Sequence, residues 1–288
     1  MTSLDSDWLD AQYNNRARIP EHPQIFERWA RASELTRRES LCQIDLRYAN
    51  GPNETLDVFA PRLENSPVLV FIHGGYWRSL DKCDVSFVAP SFVQDGAMVV
   101  LPNYALCPAV TIEAIALQMV RALEWTYRNA ATYGADRNRI VVAGHSAGGH
   151  LATMMLSCLW HEVASDLPAD LVRCAMSISG LFDLEPLRHT PFVMNDLRLT
   201  RESARRLSPA FFPRPKGVLH AVVGAEESEE FLRQNELIQS AWGTQSVPVC
   251  ERIAATNHLN VLHDFADSNG RLHHLALQLL GLSRPAEG

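Results

Sequence analysis

The sequence predicts an α/β fold, a mostly parallel sheet of about eight strands with helices on both faces, and three observations carry that prediction. Apolar runs of strand length recur along the 288 residues, each bounded by Gly, Pro, Asn or Asp, and most are separated by stretches of helical periodicity. Three of the runs are nearly continuous in apolar residues, as strands covered by helices on both faces must be. Finally, the short β-branched run ending in Val141-Val142-Ala143 feeds Gly144-His145-Ser146-Ala147-Gly148, and an Ala/Leu/Met-rich helical stretch follows.

The elements follow in order. Residues 1–40, with Trp8, Tyr13, Phe26 and Trp29 among charges, form an arm ahead of the sheet. Residues 41–48 and 55–59, joined by Asn50-Gly51-Pro52-Asn53, read as an opening antiparallel hairpin. Strands are then expected at 68–73, 98–103, 140–143, 174–179, 218–223 and 249–254. A helix is predicted over 111–133, with Thr111 as its N-cap and Gly134 at its C-terminal end. The longest interruption, 181–215, is polar and aromatic by turns; a connection of that length in a compact unit is expected to be a lid or binding insertion. Residues 1–288 are read as one domain.

Composition narrows the function classes. The formal charge is −7 and no basic stretch is clustered, which disfavours nucleic acid and anionic membrane surfaces as partners. The first residues are acidic and lack the regions of a signal peptide, and no apolar stretch approaches the ~18 residues of a membrane span, so a soluble cytoplasmic protein is expected. Six cysteines (42, 83, 107, 158, 174 and 250) show no CxxC or zinc-like spacing, and His273-His274 lies in a Leu-rich helical tail. Neither a metal site nor a cofactor is expected. Oligomeric state is left open, a homodimer being one option.

The chemistry is carried by motifs. Gly-x-Ser-x-Gly between strand and helix puts Ser146 on a sharp turn with its hydroxyl exposed, where a hydrolase places its nucleophile. Gly144 and Gly148 lack side chains because the turn is strained and its flanking elements pack closely. Upstream, Val68-Leu69-Val70-Phe71-Ile72 runs into His73-Gly74-Gly75, whose side-chain-free backbone can aim N–H groups at a developing oxyanion. The order strand-HGG, then strand-GxSxG, is that of an α/β-hydrolase, in which the acid and then the base follow the serine. The base is expected at His258, in the loop Ala255-Thr256-Asn257-His258, with His263 as the alternative. The acid belongs to the carboxylate cluster after the strand at 218–223, where spacing leaves Glu226 and Glu227 equivalent. His73 is expected to hold its loop and His145 to fill the variable slot of the turn, while His150 is expected to pack behind the site. Tyr76 and Trp77 stand beside the glycine loop as candidate walls of a substrate pocket.

The chain resembles the kynurenine formamidase (arylformamidase) group of α/β-hydrolases, which is related to the hormone-sensitive-lipase-type esterases. The resemblance spans nearly the whole chain. It rests on Tyr13-Asn14-Asn15-Arg16, His73-Gly74-Gly75-Tyr76-Trp77, Gly144-His145-Ser146-Ala147-Gly148-Gly149-His150, Ser179-Gly180-Leu181-Phe182-Asp183-Leu184, Asn195-Asp196-Leu197-Arg198-Leu199, Leu207-Ser208-Pro209 and Asn257-His258. It implies Ser146 as nucleophile and His258 as base, with an oxyanion hole from the backbones of Gly74, Gly75 and Ala147. It also implies Glu227 as the acid, in a Gly-x-x-Asp-Ser-x-Glu-Phe context that here runs from Gly224 to Phe231 with Glu in place of Asp; Glu226 is the runner-up. The implied reaction is hydrolysis of a small N-acyl aromatic amide, N-formyl-L-kynurenine to L-kynurenine and formate, through an acyl-enzyme. The alternative is a carboxylesterase acting on small or aryl esters or another N-acyl aryl amide.

Overall fold

The computed structural model describes residues 5–282. Three helices come first, α1 (Ser6–Tyr13), α2 (Asn15–Arg18) and α3 (His22–Glu39), the arm expected from the sequence. Strands β1 (Cys42–Arg47), β2 (Thr55–Phe59) and β3 (Ser66–Ile72) follow, then α4 (Ala89–Gln94), β4 (Met98–Pro102), α5 (Ile112–Asn129) and β5 (Ala135–His145). The second half holds α6 (Ala147–Leu156), α7 (Trp160–Val163), β6 (Cys174–Ile178), α8 (Pro191–Leu197), α9 (Arg201–Arg206) and β7 (Val218–Gly224). It closes with α10 (Glu229–Trp242), β8 (Val249–Ile253), α11 (Val261–Ala266) and α12 (Arg271–Leu280).

Among the described residues the strands form one eight-stranded sheet in the order β1-β2-β4-β3-β5-β6-β7-β8. The pairs β1/β2 and β2/β4 are antiparallel, and the others are parallel. Strand alternation divides the core between the two faces. Val68, Val70, Ile72 and Val142 point to the face covered by α5, α6 and α10, whereas Leu69, Phe71, Val141 and Ala143 point to the face covered by α3, α4, α11 and α12. With β3 buried along its whole length, its apolar run is the direct consequence of helices on both sides.

Two elements differ from expectation. The strand expected at 140–143 begins at Ala135, because Ala135 pairs with Ser66 before a register shift; Arg137, Asn138 and Arg139 on that extension are exposed, so no apolar run marks it. The helix expected to reach 133 leaves α geometry at Asn129 and ends in a 3₁₀ turn, Ala130–Tyr133, stopped by Gly134 at φ 79°. Its start is as read: Thr111 Oγ1 accepts a hydrogen bond from Ala114 N–H. The segment 181–215 carries α8 and α9 between two 3₁₀ turns and is tied to α6, where His150 Nε2–H donates to Leu207 O at 2.7 Å. Among the described residues, no helix is long and apolar enough to cross a membrane.

The His150 tie has a measurable consequence. Burial lowers the His150 pKa from 6.5 to about 4, so the folded protein holds it neutral while the unfolded chain protonates it as pH falls below 6.5. A basic group with a depressed native pKa contributes stability that is complete above its unfolded value and is lost as pH drops towards the folded one. We expect this histidine alone to remove about 2 kcal/mol of stability between pH 7 and pH 5. Urea midpoints measured across that range should fall more steeply for the wild type than for His150→Gln; parallel curves would contradict the assignment.

Candidate active site

Chemistry-bearing residues collect just beyond the carboxyl ends of the parallel strands, where open α/β sheets place their sites. Gly74 and Gly75 follow β3, Ser146 follows β5, Ser179 follows β6, Glu227 follows β7 and His258 follows β8. Ser146 takes φ 55° and ψ −117° at the junction of β5 and α6. Such a backbone is costly for a residue with a Cβ and persists only where the surroundings impose it. Here close packing imposes it: a Cβ on Gly148 would lie 2.0 Å from Ile72 O, and one on Gly144 would lie 2.2 Å from Gly148 O. Any larger residue at either position would push α6 off the sheet.

Burial distinguishes the two carboxylates. Glu226 is exposed, whereas the Glu227 side chain is fully buried beside His258. His258 Nδ1–H donates to Glu227 Oε2 at 2.6 Å, while Glu227 Oε1 accepts from Ser179 Oγ at 2.5 Å and from Gly224 N–H at 2.8 Å. Three donors therefore hold the carboxylate in one orientation, and a carboxylate facing Nδ1 sets the tautomer that leaves Nε2 free to accept a proton. The imidazole also packs on His145 (ring centroids 4.8 Å apart) and on Phe231 (4.4 Å). Ser146 and His258 open onto one cavity, and no hydrogen bond joins Ser146 Oγ to the imidazole in this structure. His263, the alternative base, lies in α11 behind the cavity wall: it accepts a hydrogen bond from Trp29 Nε1 at 3.2 Å and does not itself line the cavity.

Backbone N–H groups lie close to the serine, and a Cβ on Gly74 would be 3.2 Å from Ser146 Cβ. Ala147 is the first residue of α6, so its N–H has no acceptor within the helix. The glycine loop is shaped by residues behind it: Tyr104 Oη–H donates to His73 O and Gly74 O, and the His73 ring stacks on Tyr104 with centroids 4.2 Å apart. Gly75 has φ 103°, and a Cβ there would meet Ser79 O at 2.1 Å. Glycine is the one residue that fits, so the loop can turn sharply beside the serine. Burial lowers the pKa of His73, in keeping with a neutral ring that holds its loop.

The turn then separates its two aromatics. Tyr76 and Trp77 both have positive φ (52° and 54°), which sends their side chains to different surroundings. Tyr76 lines the cavity and donates its hydroxyl to Tyr13 O at 2.7 Å, tying the arm to the site. Trp77 does not reach the cavity; it is fully buried in the core, edge-on to His150 at 5.0 Å. The cavity is partly open to solvent, and its apolar wall comes from Phe26, Trp29, Tyr76, Leu80, Phe192 and Leu259.

Three contributions escape a reading by sequence pattern. His145, assigned only to the variable slot, donates from Nε2 to His258 O at 2.7 Å and so anchors the loop that carries the candidate base. Burial, and after it the neighbouring His258, holds the His145 pKa well below the ordinary histidine value, which suits a neutral donor. Ser179 clamps Glu227; its place just beyond a parallel strand is the signal that marks it. Phe26, Trp29 and Phe192 arrive from the arm and from α8, and nothing local to them indicates that they meet.

Comparison with known proteins identifies the family. A family model described as BD-FAE matches residues 56–166. A kynurenine formamidase of Danio rerio is 30% identical over 296 aligned residues, covering 98% of each chain. Esterase LipC of Mycobacterium tuberculosis is 30% identical over 50% of this chain and 38% of its own. A crystal structure of a candidate thioesterase from Silicibacter sp. tm1040 superposes with a TM-score of 0.80 at 31% identity, covering 92% of this chain and 97% of its own. On its full-length likeness and its eight-stranded sheet, the chain is a hydrolase of the amide and ester class and belongs to the kynurenine formamidase family of α/β-hydrolases.

Proposed function

We propose that the protein cleaves a small N-acyl aromatic amide, N-formyl-L-kynurenine to L-kynurenine and formate, through an acyl-enzyme on Ser146. The observation that carries the mechanism is the buried Glu227–His258 hydrogen bond opening onto the cavity that Ser146 lines. Ser146 Oγ attacks the formyl carbon while His258 Nε2 takes the hydroxyl proton, and the Glu227 carboxylate steadies the imidazolium that results. The carbonyl oxygen gains negative charge, which the N–H groups of Gly74, Gly75 and Ala147 stabilise. The intermediate collapses as Nε2 returns the proton to the departing aromatic nitrogen, leaving a formyl ester on Ser146. Water, deprotonated by the same imidazole, attacks that ester; formate departs and the serine regains its proton.

The apolar, aromatic wall of the cavity suits the aryl portion of such a substrate, and the family supplies the formamide chemistry. A second reading, hydrolysis of small or aryl esters, is favoured by the likeness to esterase LipC over half of the chain. Both reactions use the same tetrahedral intermediate and differ in whether a nitrogen must be protonated to leave. The test is kcat/KM for N-formylkynurenine and for a p-nitrophenyl ester, measured side by side. The formamide is expected to be the better substrate; rapid ester cleavage with poor turnover of the formamide would replace the first reading with the second.

A further inference from the structure

The cavity in front of Ser146 is apolar along its walls but carries two guanidinium groups, from Arg16 and Arg78, and no carboxylate among the residues that line it. That is unusual company in a chain of net charge −7. The two arginines are not equivalent. Arg78 is paired with Asp196 and lies over the Phe192 ring at 4.4 Å, so its charge is offset and its position held. Arg16 has no acidic partner among the described residues; its Nη2 donates to Ser79 Oγ at 3.4 Å and its guanidinium lies over the Phe26 ring at 5.7 Å. Desolvation, and after it the nearby Arg78 guanidinium, lowers the pKa of Arg16, as expected of two cations facing one space. Beside it Asn15 lines the same cavity, and its buried Nδ2 has no partner on the protein, which leaves that amide free to serve a bound oxygen.

We propose that Arg16, supported by Arg78 and Asn15, binds a carboxylate carried by the amine portion of the substrate, so that the enzyme selects aromatic amides that bear a carboxylate over those that lack one. The inference rests on the reading of the cavity as the site of amide hydrolysis. An uncompensated cation at the edge of an apolar pocket favours a ligand with an aromatic body and one anionic end, because the ring is desolvated against Phe26 and Phe192 while the carboxylate takes up charge-assisted hydrogen bonds. Arg16 sits in the arm, so the arm would supply selectivity while the sheet supplies the chemistry.

The test uses two matched substrate pairs. One pair is N-formylkynurenine and a formanilide of the same ring that lacks the amino-acid end; the other is aryl acetates whose leaving phenol does or does not bear a carboxylated side chain. For each pair, the ratio of kcat/KM, acid over neutral, is measured for the wild type, Arg16→Gln and Arg16→Lys. Arg16→Gln should lower the ratio about tenfold, chiefly through KM, with Arg16→Lys retaining most of it. The wild-type ratio should also shrink as ionic strength rises, because Arg16 is exposed. Ratios that are equal in wild type and Arg16→Gln for both pairs would overturn the inference, whatever the formamide activity. Failure to cleave either formamide, with an Arg16-dependent ratio kept in the acetate pair, would leave the inference standing and remove the formamidase reading instead.

Discussion

Replacing Ser146 by alanine should lower kcat by about five orders of magnitude and abolish covalent labelling by a fluorophosphonate, with the thermal midpoint nearly unchanged. The magnitude follows from the chemistry proposed. Without the hydroxyl no acyl-enzyme can form, and what remains is substrate binding plus the backbone donors acting on water held in the pocket. A loss of five orders corresponds to about 7 kcal/mol of transition-state stabilisation. The fold should tolerate the change, since the strained φ of 55° is imposed by Gly144, Gly148 and β3 rather than by the serine side chain, and no hydrogen bond of Ser146 Oγ is broken. Labelling that persists in Ser146→Ala would place the nucleophile elsewhere.

The next largest effect should come from Glu227→Gln, with Glu226→Gln as its partner experiment. An amide at 227 can present N–H rather than oxygen to His258 Nδ1, which removes the acceptor that sets the tautomer and leaves the imidazolium uncompensated. We expect kcat to fall about 10³- to 10⁴-fold in Glu227→Gln, while Glu226→Gln, exposed and without contact to the imidazole, stays within about threefold of wild type. Circular dichroism would show whether Glu227→Gln stays folded, because Ser179 and Gly224 also lean on that carboxylate. A large loss confined to Glu226→Gln would exchange the two roles.

The pattern of what could be read beforehand is physical. The strand-to-helix turn at Ser146 was legible because its causes are local: a strand that must be apolar, glycines that must let β3 and α6 approach, and a helix that starts immediately afterwards, all within about a dozen residues. The Gly-rich loop after β3 was legible for the same reason, as was the antiparallel opening hairpin. The choice of carboxylate was not legible from spacing, because Glu226 and Glu227 are neighbours and only the turn after β7 decides which of them faces inward. The same limit applied to Tyr76 and Trp77, where two consecutive positive φ values send one ring to the cavity and the other into the core. His145 belonged to a slot that tolerates many residues, so its bond to the backbone of His258, 113 positions away, had no local trace.

By itself the sequence determined the α/β architecture, the strand-to-helix turn at Ser146 and the glycine loop at Gly74 and Gly75, since periodicity and glycine placement act over a few residues at a time. The tertiary structure alone decided which carboxylate meets His258, which aromatic lines the cavity, and that Arg16 from the arm shares a space with Ser146 from the sheet. Those outcomes depend on segments far apart in the chain being brought together by burial of the two core faces, and no short stretch of sequence contains that information.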